Sequence, residues 1–128
     1  MNESGCPFCN VSEEEIVLKN DKCFAIFDKY PVSKGHMLIV PYRHFSNFFD
    51  ATYDEISAIY RLVYEAKAYL DKEFSPDGYN LGVNIGEAAG QTIPHMHIHL
   101  IPRYKGDMED PRGGVRGVIP SKQVYPSS

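Results

Sequence analysis

Between Pro94 and Pro102 the chain reads PHMHIHLIP, with His95, His97 and His99 alternating with Met96, Ile98 and Leu100. Period two is the signature of an extended strand, whose successive side chains point to opposite faces; a helix would scatter the three rings around its circumference. The segment is thus committed to a strand with one apolar and one imidazole face, its limits marked by the two prolines. Residues two apart in a strand lie roughly 6.5–7 Å from each other, so the rings form a row facing a cleft or a partner. The stretch TYDEISAIYRLVYEAKAYLDKEF, Thr52 to Phe74, reads as one long amphipathic helix: Thr52 and Glu55 stand in capping-box spacing, Ile56, Ile59, Tyr60, Val63, Ala66 and Leu70 recur at helical intervals, and SPDG closes it.

Two apolar, β-branched runs, Cys23 to Phe27 and Met37 to Val40, flank a turn containing Pro31, Ser33 and Gly35 and read as an antiparallel hairpin. After the helix, Leu81, Val83 and Ile85 alternate with Asn80, Gly82 and Asn84, the pattern of a half-buried strand. Two strands, one helix and two strands make an α+β arrangement. No repeat or linker interrupts it, and 128 residues are the length of a single domain, 1–128. Residues 1–20 read as an amino-terminal arm. Residues 104–128 form a Gly-, Pro- and Ser-rich tail in which GVRGVIP suggests a short strand or an arm reaching a partner chain. Arg103, Arg112 and Arg116 are placed to reach phosphates or to stay solvated.

Thirteen Lys and Arg against seventeen Asp and Glu give a net charge of -4 with no basic run, which argues against nucleic acid and anionic membrane as partners. The opening MNESGCPFCN is polar where a secretory signal would be apolar, and no apolar run reaches membrane-spanning length, so a cytoplasmic protein is expected. In a reducing compartment three cysteines are not a disulfide framework. Cys6 and Cys9 read as metal ligands, a redox pair or plain thiols, and Cys23 as an ordinary buried thiol.

Three histidines in register admit a solvated face, a metal site or nucleophilic catalysis by a neutral imidazole. The preceding loop, NIGEAAGQT, offers glycine-freed amides and the donors Gln91 and Thr92, which suit an anionic oxygen better than a cation. That company points to phosphoryl or acyl chemistry.

HMHIHLI also resembles the motif of the histidine triad (HIT) superfamily. GHMLIVPYRH is similar to that family's hairpin strand with an additional active-site histidine, and NIGEAAGQT to its phosphate loop, so the resemblance runs from about Cys6 to Arg103. It implies an α+β fold of about five antiparallel strands with one long helix and a short one, the sheet extended by homodimerisation. The excess of Tyr60, Tyr64 and Tyr69 on the helix fits a second buried surface. The resemblance further implies a nucleotidyl hydrolase: His97 attacks the α-phosphate of an adenylylated substrate, forms a covalent nucleotidyl-histidine and yields AMP. His99 and His36 would surround the phosphate with Gly90, Gln91 and Thr92. Asn84 matches a polar position beside it, and Asp28 a ribose-binding position, although Asp28 reads equally well as a turn residue.

In the family, branches that transfer nucleotides to acceptors other than water carry Gln at the last triad position, so His99 implies hydrolysis. Asp28 and Asn84 look like the purine-nucleoside phosphoramidate branch, whereas Thr92 and IPR look like the dinucleoside-polyphosphate branch. A nucleotide-sensing protein with weak hydrolysis is the alternative. GCPFCN resembles the short cysteine pair of bacterial and archaeal members, joined there by two histidines at the positions of His44 and His95 to hold structural zinc. A glutaredoxin-type dithiol would need a preceding strand that is missing, and two reduced thiols remain the plain alternative. With no P-loop lysine or carboxylate cluster, neither magnesium nor an organic cofactor is expected.

Overall fold

The computed structural model describes residues 4–126. Its centre is a five-stranded antiparallel sheet in the order β1-β2-β3-β5-β4, with β1 at Ile16–Lys19, β2 at Cys23–Phe27, β3 at Met37–Pro41, β4 at Gly78–Val83 and β5 at Ile98–Arg103. The predicted hairpin pairs in register from Cys23 opposite Pro41 to Phe27 opposite Met37. These two strands read as continuous apolar runs because both of their faces are covered.

One face carries Cys23, Ala25, Met37, Ile39, Ile98 and Leu100 against the helix α1 (Tyr53–Phe74). The opposite face carries Phe24, Ile26, Leu38 and Val40 and is covered by Cys6 and Phe8 of the amino-terminal arm. Leu38 lies opposite both Ile26 and His99, so the last triad histidine belongs to this second face, away from the helix. The site therefore sits between sheet and arm.

The helix starts where expected. Thr52 accepts from the Glu55 amide, and the Glu55 carboxylate accepts from the Thr52 amide, which closes the capping box and satisfies two of the otherwise unpaired amide donors. Its buried stripe is Glu55, Ala58, Ile59, Leu62, Ala66 and Leu70. Tyr60, read from the sequence as an inward position, is 71% exposed, because small Ala58 and Ala66 and branched Leu62 let the sheet approach on the adjoining side. Gly35, at φ +89°, turns the hairpin; a Cβ there would come within 3.1 Å of Leu70 and Phe74 at the end of α1.

The structure corrects several expectations. The second half of the arm is an edge strand, β1, paired with β2 through a bulge between Ile16 and Leu18. β4 lies two to three residues earlier than its alternation suggested, since Asn84 and Ile85 already belong to the loop. The β5 ladder begins only at Ile98 and contains Pro102; the pairing of β5 with β3 has stopped at Leu100, so the missing proline N–H costs no bond to β3. Among the described residues α1 is the one α-helix, and the expected short second helix is represented by 3₁₀ turns. GVRGVIP forms one of these, Gly114–Val118, and not a strand.

Candidate active site

His95 and His97 precede the β5 ladder, and backbone contacts hold them there. The Met96 amide donates to Phe45 O at 2.7 Å, tying this segment to the loop after β3. Contrary to a row open to a cleft, His95 is fully buried and His97 nearly so.

The rings divide their tasks. A carbonyl can only accept, so His95 Nε2, 2.8 Å from Pro41 O, carries the proton and turns the Nδ1 lone pair toward the cysteines. His97 Nδ1 lies 2.8 Å from His95 O, carries the proton for the same reason, and leaves Nε2 as a bare lone pair in the neutral ring. His36 behaves inversely: the Val32 amide donates to its Nδ1 at 3.0 Å, so the proton sits on Nε2, which lies 3.0 Å from His99 Nδ1 and 3.5 Å from Asp28 Oδ2. With His99 Nδ1 accepting, its Nε2 is the protonated nitrogen. Burial pushes the imidazoles of His36, His95 and His99 below the ordinary range, with neighbouring histidines adding to the shift for His95 and His99. They are neutral at pH 7.

Asp28 takes the turn role read for it and also faces the histidines. Its Oδ1 accepts from the Tyr30 amide in the turn, while Oδ2 faces His36. Across the sheet, Gly82 pairs with His99, and a Cβ there would meet nothing within 4 Å, which leaves open space beside the imidazoles.

The glycine-rich loop closes through Gln91. Its Oε1 accepts from the Gly86 amide at 2.9 Å, and its Nε2 donates to Ser46 O and Ile93 O. Gln91 was expected to bind phosphate oxygens; its amide is instead engaged with loop backbone and fixes the loop's shape. Gly90 has φ +96°, an ending to the Glu87–Ala89 turn that other residues adopt with strain. Thr92 is exposed at the end of this loop, and half-buried Asn84 opens it.

On the other side of His95, Cys6 Sγ and Cys9 Sγ lie 3.3 and 3.6 Å from its Nδ1, His44 Nδ1 lies 3.1 Å from the same atom, and Cys9 Sγ lies 3.3 Å from His44 Nδ1. All four donor atoms fall within 4.8 Å of one another. A tetrahedron with metal bonds of 2.0–2.3 Å has edges of roughly 3.3–3.8 Å, close to these separations. Burial, and then Cys9, push the Cys6 thiol up; a central cation reverses that by stabilising the thiolate. The donor set fits a metal.

The tail arginines do not face the histidines. Arg103 pairs with Asp107 at 2.8 Å and with Asn80, Arg112 pairs with Asp110, and Arg116 donates to the Lys122 and Gln123 carbonyls. Arg103 and Asp107 line a shallow concavity of about 470 Å³ that holds none of the histidines. Sequence reasoning missed Phe8, whose ring packs against both His95 and His97; its place between two cysteines was the only signal.

The family model for the HIT domain matches residues 10–106. The chain belongs to the HIT family. It is 38% identical to a HIT-like protein of Methanocaldococcus jannaschii over 108 residues, 81% of this chain and 83% of that one. Some relatives have names that state an activity. An AP-4-A phosphorylase of Mycobacterium tuberculosis is 33% identical over 79% of this chain and 55% of its own length. The asymmetrical bis(5'-nucleosyl)-tetraphosphatase of Schizosaccharomyces pombe is 36% identical over 62% of this chain and 44% of its own. Among solved structures, a HIT family protein from Bacillus anthracis superposes with a TM-score of 0.75 at 36% identity, covering 81% of this chain and 77% of that one. A Zn-bound histidine triad family protein from Mycobacterium smegmatis gives 0.73 at 25% identity, covering 83% and 80%. This HIT protein is thus similar in sequence to proteins named AP-4-A phosphorylase and bis(5'-nucleosyl)-tetraphosphatase.

Proposed function

We propose that the protein hydrolyses an adenylylated substrate, a dinucleoside polyphosphate or a nucleoside phosphoramidate, with His97 as the nucleophile. The observation that carries this reading is the 2.8 Å contact between His97 Nδ1 and His95 O, which places the neutral ring's proton on Nδ1 and leaves Nε2 for attack. In the first step His97 Nε2 bonds to the α-phosphorus, and the P–O or P–N bond to the leaving group breaks. That group departs with the bonding pair and is protonated. Water then displaces the imidazole from phosphorus, giving AMP and restoring His97.

The protonated Nε2 of His99, held by His36, suits donation to a phosphate oxygen, and the Thr92 hydroxyl and loop amides supply further donors. Asp28 would hold ribose hydroxyls, with Asn84 beside the phosphate and Gly90 and Gln91 shaping the loop. His97→Ala should cut turnover at least about a thousandfold while AMP affinity changes little, since nucleophile and pocket are separate contributions. Near-normal turnover of that variant would end the mechanism.

Zinc is our reading of the Cys6, Cys9, His44 and His95 cluster, supported by the donor set, by the separations and by the zinc-bound mycobacterial relative. Its chemistry would be structural, joining the arm to the sheet, because four protein donors leave no open position. Cys6→Ser should lower both zinc content, about one per chain in the parent, and the melting temperature.

A homodimer is proposed on the exposed edge of β4, where Leu81 is 50% exposed, and on Tyr60 and Tyr64 of α1, exposed at 71% and 68%.

A further inference from the structure

The amino-terminal arm touches the reactive histidine as well as the cysteine cluster. Phe8 lies in the Pro7–Cys9 turn, between the two cysteines, and is buried with Phe24, Ile26, Leu38 and Val40. Its ring meets His97 at a centroid distance of 4.9 Å and an interplanar angle of 58°, and meets the edge of His95 at 5.9 Å and 83°. The His97 ring has three restraints: its hydrogen bond to His95 O, the edge of His99 at 5.2 Å, and Phe8. Two of these originate in the cysteine cluster, one through His95 and one through the residue between the cysteines. The hydrogen bond fixes one ring nitrogen but leaves the ring free to tilt about it, and the Phe8 face removes that freedom.

We propose that Phe8 is a positioning residue for His97, so that the cysteine turn sets the attack angle of the nucleophile in addition to tying down the arm. This rests on the reading of His97 as nucleophile. A modest loss of alignment at a reacting atom costs about tenfold or more in rate.

The test compares Phe8→Leu and Phe8→Met, which keep apolar volume but remove the ring, with Phe8→Tyr, which restores it. Zinc content, melting temperature, kcat and KM on diadenosine tetraphosphate and adenosine phosphoramidate, and the ring ¹⁵N signals of His97 in substrate-free protein are measured for each. In Phe8→Leu and Phe8→Met, zinc should be retained, KM should stay within about threefold, and kcat should fall about tenfold or more. The His97 ring signals should keep the separation of the Nδ1-protonated tautomer but broaden as the ring tilts about its hydrogen bond, and Phe8→Tyr should restore both rate and signals. Unchanged kcat and unchanged His97 signals in a folded, zinc-loaded Phe8→Leu protein would overturn the proposal. So would a rise in KM alone, which would make Phe8 a nucleotide contact, or loss of zinc in both ringless variants, which would make it a packing residue of the turn. The ¹⁵N signals need no turnover, so a parent protein inactive on both substrates would refute the nucleophile reading while leaving the positioning result readable.

Discussion

Three backbone groups, Pro41 O, His95 O and the Val32 amide, assign the ring protons of His95, His97 and His36, and His36 in turn assigns His99. One imidazole thereby faces the cysteines with a lone pair, one carries its proton on Nδ1, and one presents an N–H. The alternation in the sequence marks the three rings as a group but does not say that they divide their work, because the deciding partners are main-chain atoms with no residue identity to read. Gln91 shows the same limit: an amide side chain in a glycine-rich loop reads as a ligand donor, whereas the neighbouring carbonyls of Ser46 and Ile93 claim it. Replacing Gln91 with Ala should therefore act through loop order. Amide exchange across residues 84–92 should accelerate in the free protein, a change that would not follow if Gln91 only bound phosphate.

At the scale of elements, the segment that carries His44 is fastened to the start of α1. Arg43, its neighbour, makes two hydrogen bonds to the Glu55 carboxylate at 2.9 and 2.8 Å, and Glu55 also closes the capping box. The guanidinium and then the Thr52 amide hold the Glu55 carboxyl down, from an ordinary 4.5 to about 2. A depressed folded-state value means that this contribution is complete above the unfolded pKa and disappears as pH falls through about 2. Because Arg43 is 44% exposed, its worth is at the lower end for charge-assisted bonds, about 1–2 kcal/mol. Urea unfolding should show Glu55→Gln less stable by that amount at pH 7, and the gap between the two proteins should close between pH 4.5 and 2; a gap constant with pH would contradict it.

The long helix, the hairpin and the triad segment were legible because each carries a strong period over many residues. β1 was not: IVLK is four residues long beside three glutamates, and a bulge interrupts its register. The boundaries of β4 slipped because Asn84 and Ile85 continue its alternation into the loop.

For the whole molecule, no described helix is long and apolar enough to cross a membrane, and the exposed β4 edge with Tyr60 and Tyr64 predicts association. Sedimentation at micromolar concentration should give twice the chain mass of 14.5 kDa, and a solely monomeric species would refute the dimer. Helix and arm cover opposite faces of the sheet, and the histidines converge with the cysteine pair under the arm. Covalent catalysis at that convergence is tested most directly by trapping. The protein is mixed with diadenosine tetraphosphate or adenosine phosphoramidate radiolabelled at the α-phosphate, quenched in alkali within the first turnover, and digested for peptide mapping. Label should appear on the peptide containing His97 before free AMP accumulates, and should be absent from His97→Ala. AMP release from the parent protein with no label on any peptide throughout the first turnover would mean that water attacks phosphorus directly and that His97 is not a nucleophile.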